Sequence, residues 1–374
     1  MRRYLFLTLT TFSQTGGIEK FNRCFSKALN DFSESGNIDA SVSSVYDKLP
    51  DNRYIRPKRF KGYSGRRWWY ILSQLWKSRS YDEIIIGHIN LAILMAGIKK
   101  FFPSKKIILI IHGIEAMEPL KGIKKKALQF SDEIWAVSEF TRQNIIEIQQ
   151  LPSDKIKIFY NAVDPFFLLP ASFEKPQYIL DRYAISHATK ILLTVTRLNH
   201  AESYKGYDKV LEALPEVKKI FPHIRYIIAG KGDEKEIQYV NKLIESNHLQ
   251  ENVILTGFIP EQELTDHFLV SDVFIMPSTK EGFGIVFIEA MACGLNVIGG
   301  NKDGSVDALA NGRLGKLVNP DSIPAISSAI IKSLEEKQNS TINGASQKIQ
   351  MDVMNTFGFE QFKHRLETYL VINN

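Results

Sequence analysis

VFIMPSTKEGFGIVFIEAMACG, residues 273–294, is the stretch whose reading decides the fold. Val273 to Met276 is a short, wholly apolar run of the kind that forms a buried strand. From Ile285 the apolar residues recur at helical spacing until Gly294 stops them. A strand that turns directly into a helix is the corner of a parallel α/β unit. At such a corner the first helical N–H groups have no intrahelical partner and the helix dipole favours negative charge. A pyrophosphate can therefore dock on the backbone near Gly284, Ile285 and Val286. Gly282 and Gly284, either side of Phe283, let a ligand approach closely. Glu281 before the turn and Glu289 one turn into the helix then become acceptors for paired hydroxyls, which sugars and ribose supply. The bland alternative is a solvated loop glutamate and an ordinary helix-start carboxylate.

The same corner repeats along the chain. In the first half YLFLTL, ASVSSVY, EIIIG, KIILIIH, EIWAVS and KIKIFY alternate with helical patterns starting near Ile18 and Glu139 and centred near Trp68, Leu94 and Ala127. After a connecting stretch rich in Pro and Phe (residues 161–183), KILLTVT, IRYIIAG, NVILTG, VFIMP, NVIGG and GKLV restart the alternation. The pattern predicts an α/β protein of two doubly wound, Rossmann-like sheets, with ligands at the carboxyl ends of the strands and a deep cleft if the sheets face one another. The expected domains are residues 1–165 and 166–354. A final amphipathic helix, about 355–374, carries Phe359, Phe362, Leu366, Tyr369 and Leu370 at helical spacing and is expected to pack back on the first domain.

At 374 residues the chain is long enough for two cores, and its composition is that of a soluble globular protein. MRRYLFLTLTTF superficially resembles a signal peptide, but its apolar run is short and no small-residue cleavage site follows, so it reads as the first strand. The apolar run at residues 84–98 is interrupted by His88 and Asn90, so no membrane span is expected. Cys24 and Cys293 show no C-x-x-C pattern and suit a reducing cytoplasm. Residues 1–165 hold 26 Lys and Arg against 16 Asp and Glu, a net +10, leaving −4 for the remainder.

Other residues suit phosphate chemistry. Gly16 and Gly17 follow the first strand where a helix begins, although without the G-x-G-x-x-G of a dinucleotide fold. Arg197 follows a strand and Lys205 precedes a helix, two cations that can converge on one diphosphate. No D-x-D is present to hold a metal instead.

In this order the pieces resemble the retaining GT-B glycosyltransferases of family 4, the group with an E-x7-E motif. The resemblance covers nearly the whole chain: Gly16-Gly17, HGIE at His112, VSEFTRQ at Ser138, NAVD at Asn161, Arg197 with YKGYD, IAGKGDE, TGFIPEQEL, the 273–294 segment and NGRLGKLVNP. It implies that Arg197 and Lys205 bind a donor diphosphate, Glu289 the ribose and Glu281 hydroxyls of the transferred sugar. Gly16 and Gly17 would close over the phosphates, and His112 would touch the sugar near the reacting carbon. The base would lie between Lys231 and the backbone near Phe258 and Ile259. Thr196, Ala162 and GGNKDGSVDAL depart from the common pattern, and Asp303 stands where a glutamate is usual, leaving the contacts of that loop open.

The implied reaction moves a hexose from a UDP- or GDP-linked donor to a glycan or lipid-linked acceptor, without metal or cofactor, in cell-surface polysaccharide or glycolipid synthesis. A glycosidase using Glu281 and Glu289 as acid and nucleophile is disfavoured, since a hydrolase needs no arginine-lysine clamp. A Rossmann-type oxidoreductase and a non-catalytic sugar-nucleotide or glycan-binding protein are the rival classes.

The basic half bears on the acceptor. In GRRWWYILSQLWKSR, Trp68, Leu72, Leu75 and Trp76 share a helical face with the spacing of core packing, and Trp69 is expected off that face. Arg66, Arg67, Lys77 and Arg79, with Lys124 to Lys126, suggest peripheral contact with anionic lipid at the inner face of the membrane. No nucleic-acid-binding module is recognised.

Overall fold

The computed structural model describes residues 1–339 and 342–370. The chain divides into two compact units, Met1–Pro165 with Phe357–Asn374, and Phe166–Thr356. The first contains β1 (Arg3–Thr8), α1 (Gly17–Glu34), β2 (Asp39–Ser44), β3 (Phe60–Gly62), α2 (Arg67–Ser78), β4 (Glu83–Ile86), α3 (Ala92–Phe101), β5 (Lys106–Ile111), α4 (Gly122–Phe130), β6 (Glu133–Ala136), α5 (Glu139–Glu147) and β7 (Ile156–Ile158). Its strands form one parallel sheet in the order β3-β2-β1-β4-β5-β6-β7. Tyr4 of β1 lies opposite Ala40 on one side and Glu83 on the other. The strand order therefore reverses between β1 and β4, the position where a doubly wound sheet leaves a crevice at its carboxyl edge.

The second unit contains α6 (Gln177–Arg182), β8 (Ile191–Val195), α7 (Tyr207–Ile220), β9 (Arg225–Ala229), α8 (Glu234–Ser246), β10 (Val253–Gly257), α9 (Glu261–Val270), β11 (Val273–Met276), α10 (Ile285–Ala292), β12 (Asn296–Gly300), α11 (Ser305–Ala308), β13 (Lys316–Val318), α12 (Ile323–Asn339) and α13 (Ile342–Phe357). Its parallel order is β10-β9-β8-β11-β12-β13, with the reversal between β8 and β11. Two elements carry no strong sequence signal and went unanticipated. β3 is only three residues long, and α6 sits in the Pro-rich connection, preceded by Pro176.

Period-two alternation sorts the unit 1 core into two chemistries. Leu5 and Leu7 of β1, with Ile84, Ile86, Ile107 and Leu109, pack an aliphatic layer under α3 and α4. Phe6 faces the other way and meets Phe25 of α1 at 4.6 Å between ring centroids. That helix buries Phe21, Cys24, Phe25, Ala28, Leu29 and Phe32, the i, i+3, i+4 spacing of one face. The C-terminal α14 (Phe359–Tyr369) completes this aromatic layer: Phe362 lies 4.8 Å from Phe159, which stacks on Trp135 at 5.1 Å. Tyr4 Oη donates to the carbonyl of Leu370 at 2.9 Å, and Tyr369 Oη to that of Ile158 at 2.8 Å. The expected single helix over 355–374 is instead the last turn of α13 and then α14, separated by extended Gly358, and residues 371–374 lie outside the described residues.

The expectation for α2 is overturned. Trp68, Leu72 and Trp76 are 74, 61 and 67 % exposed, and Trp69 is 70 % exposed beside them. The residues α2 buries are Tyr70, Gln74 and Ser78. Tyr70 Oη reaches the carbonyls of Thr8 and Ser43, and Gln74 Nε2 donates to Tyr63 Oη at 2.7 Å. Of the expected face only Leu75 packs against the core, together with Ile71, so these two side chains, the Tyr70 ring and hydrogen bonds hold the helix while Trp68, Trp69, Leu72 and Trp76 point to solvent.

Phe362→Ala should remove a ring from the centre of the aromatic layer and lower the unfolding free energy by about 3–5 kcal/mol. Denaturant unfolding followed by Trp135 emission measures this, and a loss below about 1 kcal/mol would show that α14 contributes little to that core.

Candidate active site

At the unit 2 reversal, the loops leaving β8 and β11 are locked together by close backbone approach. Gly206 has φ 79°, and a Cβ there would stand 2.3 Å from the carbonyl oxygen of Pro277. Thr279 N–H donates to the carbonyl of Tyr204 at 3.0 Å. This contact brings Lys205 Nζ into an ion pair with the Glu281 carboxylate, both largely buried. Burial by itself would lower the Lys205 ammonium, but Glu281, with Tyr204 and Glu202, together more than offset it and keep the group above its usual range, so it stays charged. Arg197, at the end of β8, is exposed and pairs with Glu202 at 2.6 Å. Tyr204 sits within the field of all four charges, Arg197, Glu202, Lys205 and Glu281. Sequence reasoning found the two cations and Glu281 but missed Glu202, whose position between Arg197 and Lys205 was the available signal.

The 281–284 turn is built as its sequence implies. Gly284 has φ 89° as the residue before α10, and Phe283 is buried. Gly284 and Val286 are half-buried, whereas Glu281, Gly282 and Ile285 are buried. Glu289 is buried in α10, a helix apolar on nearly every side. The loop after β12, whose contacts the sequence left open, anchors the turn. Asp303 Oδ2 accepts from Glu281 N–H and Ser278 Oγ, each at 2.7 Å, and its Oδ1 accepts from Ser305 N–H at 2.9 Å. Burial pushes the Asp303 carboxyl up to about 6, so these donors hold it ionised at neutral pH. Gly304 N–H donates to the Glu281 carbonyl at 2.9 Å, and a Cβ on Gly304 would lie 2.3 Å from the Gly282 carbonyl oxygen.

Lys231 and the Phe258–Ile259 segment also come together. Gly230 N–H donates to the Gly257 carbonyl at 2.8 Å, and Leu198 N–H to the Lys231 carbonyl at 3.0 Å. Lys231 and Phe258 are exposed. Arg197 is thus joined through Leu198 to the turn expected to receive a base.

In unit 1 the loop after β1 is tied down by Asp47, which sequence reasoning did not single out. Its carboxylate accepts from the N–H groups of Thr11 and Ser13, each at 2.7 Å, and of Phe12 at 3.1 Å. Arg23 Nε donates to the Thr11 carbonyl at 3.1 Å from the other side. Gly16 is extended and precedes α1, which Gly17 opens. His112 follows β5 and presents its ring at the β1/β4 reversal: Nε2–H donates to the carbonyl of Gly87, just beyond β4, at 2.9 Å. A carbonyl only accepts, so the neutral ring carries its proton on Nε2 and leaves Nδ1 an acceptor. Burial pushes His112 down to about 4. His88 lies 6.4 Å from it, ring to ring, and is likewise pushed to about 4 by burial. The polar break His88 makes in an apolar run, directly after a strand, was the signal that could have found it.

Among the described residues, no group of three or more His, Cys, Asp or Glu is arranged to hold a metal ion, and no helix is long and apolar enough to cross a membrane. The sequence matches the family described as glycosyl transferases group 1 over residues 179–348, and glycosyltransferase family 4 over residues 33–166. A GDP-mannose-dependent alpha-(1-6)-phosphatidylinositol monomannoside mannosyltransferase of Mycolicibacterium smegmatis is 26 % identical over 65 % of this chain, and the match spans only 64 % of that relative. A GDP-mannose-dependent monoacylated alpha-(1-6)-phosphatidylinositol monomannoside mannosyltransferase of Corynebacterium glutamicum is 24 % identical over 94 % of this chain and 93 % of its own length. HepE of Anabaena, solved with UDP and glucose, superposes with a TM-score of 0.76 at 19 % identity, covering 99 % of this chain and 100 % of its own.

Two measurements check this geometry. Asp303→Ala leaves the Glu281 and Ser305 N–H groups without their acceptor, so unfolding free energy should drop by about 2–4 kcal/mol; an unchanged denaturation midpoint would mean the turn is held otherwise. The histidines titrate near 6.5 unfolded and about 4 folded. Between those values the unfolded chain binds more protons, so stability is full above about pH 6.5 and falls as pH drops toward 4. His112→Asn should flatten that dependence, and an unaltered slope would show that His112 does not carry it.

Proposed function

This chain belongs to family 4 of the glycosyltransferases, with the GT-B architecture, and from that membership we propose that it moves a hexose from a nucleoside-diphosphate sugar to a glycan or lipid-linked acceptor with retention of anomeric configuration. The observation that carries the reading is the cluster at the unit 2 strand reversal, where Arg197 and Lys205 already have carboxylate partners. A donor diphosphate would take over the role of Glu202 toward Arg197 and share Lys205 with Glu281. Two preorganised cations then neutralise the charge that grows on the leaving group as the anomeric C–O bond breaks. The acceptor hydroxyl forms the new C–O bond on the same face, and its proton passes to the departing phosphate oxygen.

Glu281, released from full pairing with Lys205, accepts hydroxyls of the transferred sugar, and Glu289 accepts those of the ribose. The pyrophosphate rests on the backbone of Gly284, Ile285 and Val286, next to Gly282 and Phe283. The base lies by Lys231, Phe258 and Ile259. In unit 1, His112 and the Gly16–Gly17 turn keep the roles that the resemblance implies, His112 by the reacting carbon and the glycines over the phosphates. Neutral His112 suits that place, because its Nδ1 can accept from a sugar hydroxyl without adding positive charge. Relatives named as GDP-mannose-dependent phosphatidylinositol monomannoside mannosyltransferases and a neighbour solved with UDP and glucose support a GDP- or UDP-linked donor in glycolipid or polysaccharide synthesis.

Release of nucleoside diphosphate across UDP-, GDP- and ADP-sugars, with and without lipid-linked and glycan acceptors, tests the reading. One donor should turn over, and binding without release for every donor and acceptor would make the protein a sugar-nucleotide binder instead. Arg197→Ala and Lys205→Ala should each cut turnover on the order of a hundredfold or more, as loss of one preorganised electrostatic group does. Near-normal rates in either variant would refute the clamp, and abolition of turnover by EDTA would refute its independence of metal.

A further inference from the structure

The face of α2 that unit 1 leaves open calls for a partner. Trp68, Trp69, Leu72 and Trp76 fall within about 100° of the helix circumference at 3.6 residues per turn. Three of the four tryptophans in the chain are on this one surface; the fourth, Trp135, is fully buried. An exposed stripe of this size and composition marks an interaction site rather than ordinary surface. Its borders are cationic. Residues 52–81 contain nine Lys and Arg and no Asp or Glu. Arg66 and Arg79 flank the stripe and pair with no carboxylate among the described residues, and Arg79 instead lies 4.6 Å over the Trp76 ring. Lys77 is not counted with them, because burial holds its ammonium below the usual range.

We propose that α2 is a membrane-docking helix that lies in the headgroup region of an anionic bilayer, with Trp68, Trp69, Leu72 and Trp76 inserted and Arg66 and Arg79 at the phosphates. The occupant follows from the chemistry of the surface. A second copy of this chain would set Arg66 and Arg79 against like charges, with no acidic residue in residues 52–81 to meet them. A zwitterionic or apolar protein surface would leave the arginine border unmatched. An anionic lipid interface accepts both parts at once, since Trp rings favour the headgroup level and Lys or Arg beside them meet its negative potential. The inner face fits the same purpose: Tyr70 and Gln74 by hydrogen bonds, with Ile71 and Leu75 packed on the core, hold α2 and leave Trp68, Trp69, Leu72 and Trp76 free for the bilayer. The proposal does not rest on the transferase reading and needs no turnover to test.

The full chain is mixed with vesicles of equimolar phosphatidylcholine and phosphatidylglycerol, or of phosphatidylcholine alone, and co-sedimentation is measured. Binding should favour the anionic vesicles and weaken as salt rises from about 0.1 M to about 1 M, which shortens the screening length from ~10 to ~3 Å. Replacing all three exposed tryptophans, Trp68→Ser with Trp69→Ser and Trp76→Ser, should lower partitioning roughly tenfold or more. The blue emission of buried Trp135 reports that the variant is folded. Arg66→Gln with Arg79→Gln should remove most of the preference for anionic vesicles. In the unmodified chain, brominated phosphatidylcholine mixed into the anionic vesicles should quench the exposed tryptophans and spare Trp135. Absence of vesicle binding, equal binding by the triple variant, or emission untouched by brominated lipid would overturn the proposal. So would a dimer that the triple variant disperses while vesicles capture neither form.

Discussion

A parallel strand pair can be joined only by a crossover, and crossovers leaving a central strand in opposite directions cannot cover the gap between them. Both sheets of this protein obey that constraint, at β1/β4 and at β8/β11. The candidate diphosphate and sugar contacts gather at those two gaps. His112 bonds to Gly87 beyond β4, the Gly16 turn follows β1, Arg197 follows β8, and Glu281 follows β11. The seven- and six-stranded sheets are different in their cores, yet they deliver loops to their edges by the same topological rule.

The chemistry at the unit 2 gap depends on backbone more than on side chains. Gly206 against Pro277, Gly300 against Ser278 and Gly304 against Gly282 are approaches that a Cβ would forbid, at 2.3, 2.1 and 2.3 Å. They hold three loops in register so that Lys205 meets Glu281 and Asp303 meets the Glu281 N–H. The resulting network is charge-balanced: each candidate diphosphate cation has a carboxylate partner, and Asp303 has several donors. A buried ammonium needs such a partner to stay ionised, because desolvation alone would favour its neutral form.

Helix α2 shows why periodicity is an incomplete guide. Positions 68, 72, 75 and 76 share a face at 3.6 residues per turn, yet only Leu75 of the four packs against the core, and Trp69, expected off that face, is exposed beside the other three. Which way the face points is set by the neighbours, and here Tyr70 and Gln74 turn inward, where Tyr70 Oη meets the carbonyls of Thr8 and Ser43 and Gln74 Nε2 meets Tyr63 Oη. A hydrophobic stripe specifies that something apolar covers it, without specifying that the cover is the protein's own core.

Among the described residues twelve of the thirteen strands could be read from apolar runs and turn residues, the central ones most clearly because burial on both faces demands such runs. The two-sheet α/β class, the glycine turn at 281–284 and the identities of Arg197, Lys205, Glu281 and Glu289 also followed from local composition and spacing. β3, the half-buried FKG, has no apolar run, and the six residues of α6 are too few to show a period. The tertiary structure alone decided partners across long sequence separations: Lys205 with Glu281, Asp303 under the motif, Asp47 under the first loop, His88 beside His112, and the outward turn of α2. Side-chain type and local period are properties of neighbours in the chain, whereas pairing and burial depend on which strands the crossovers place side by side.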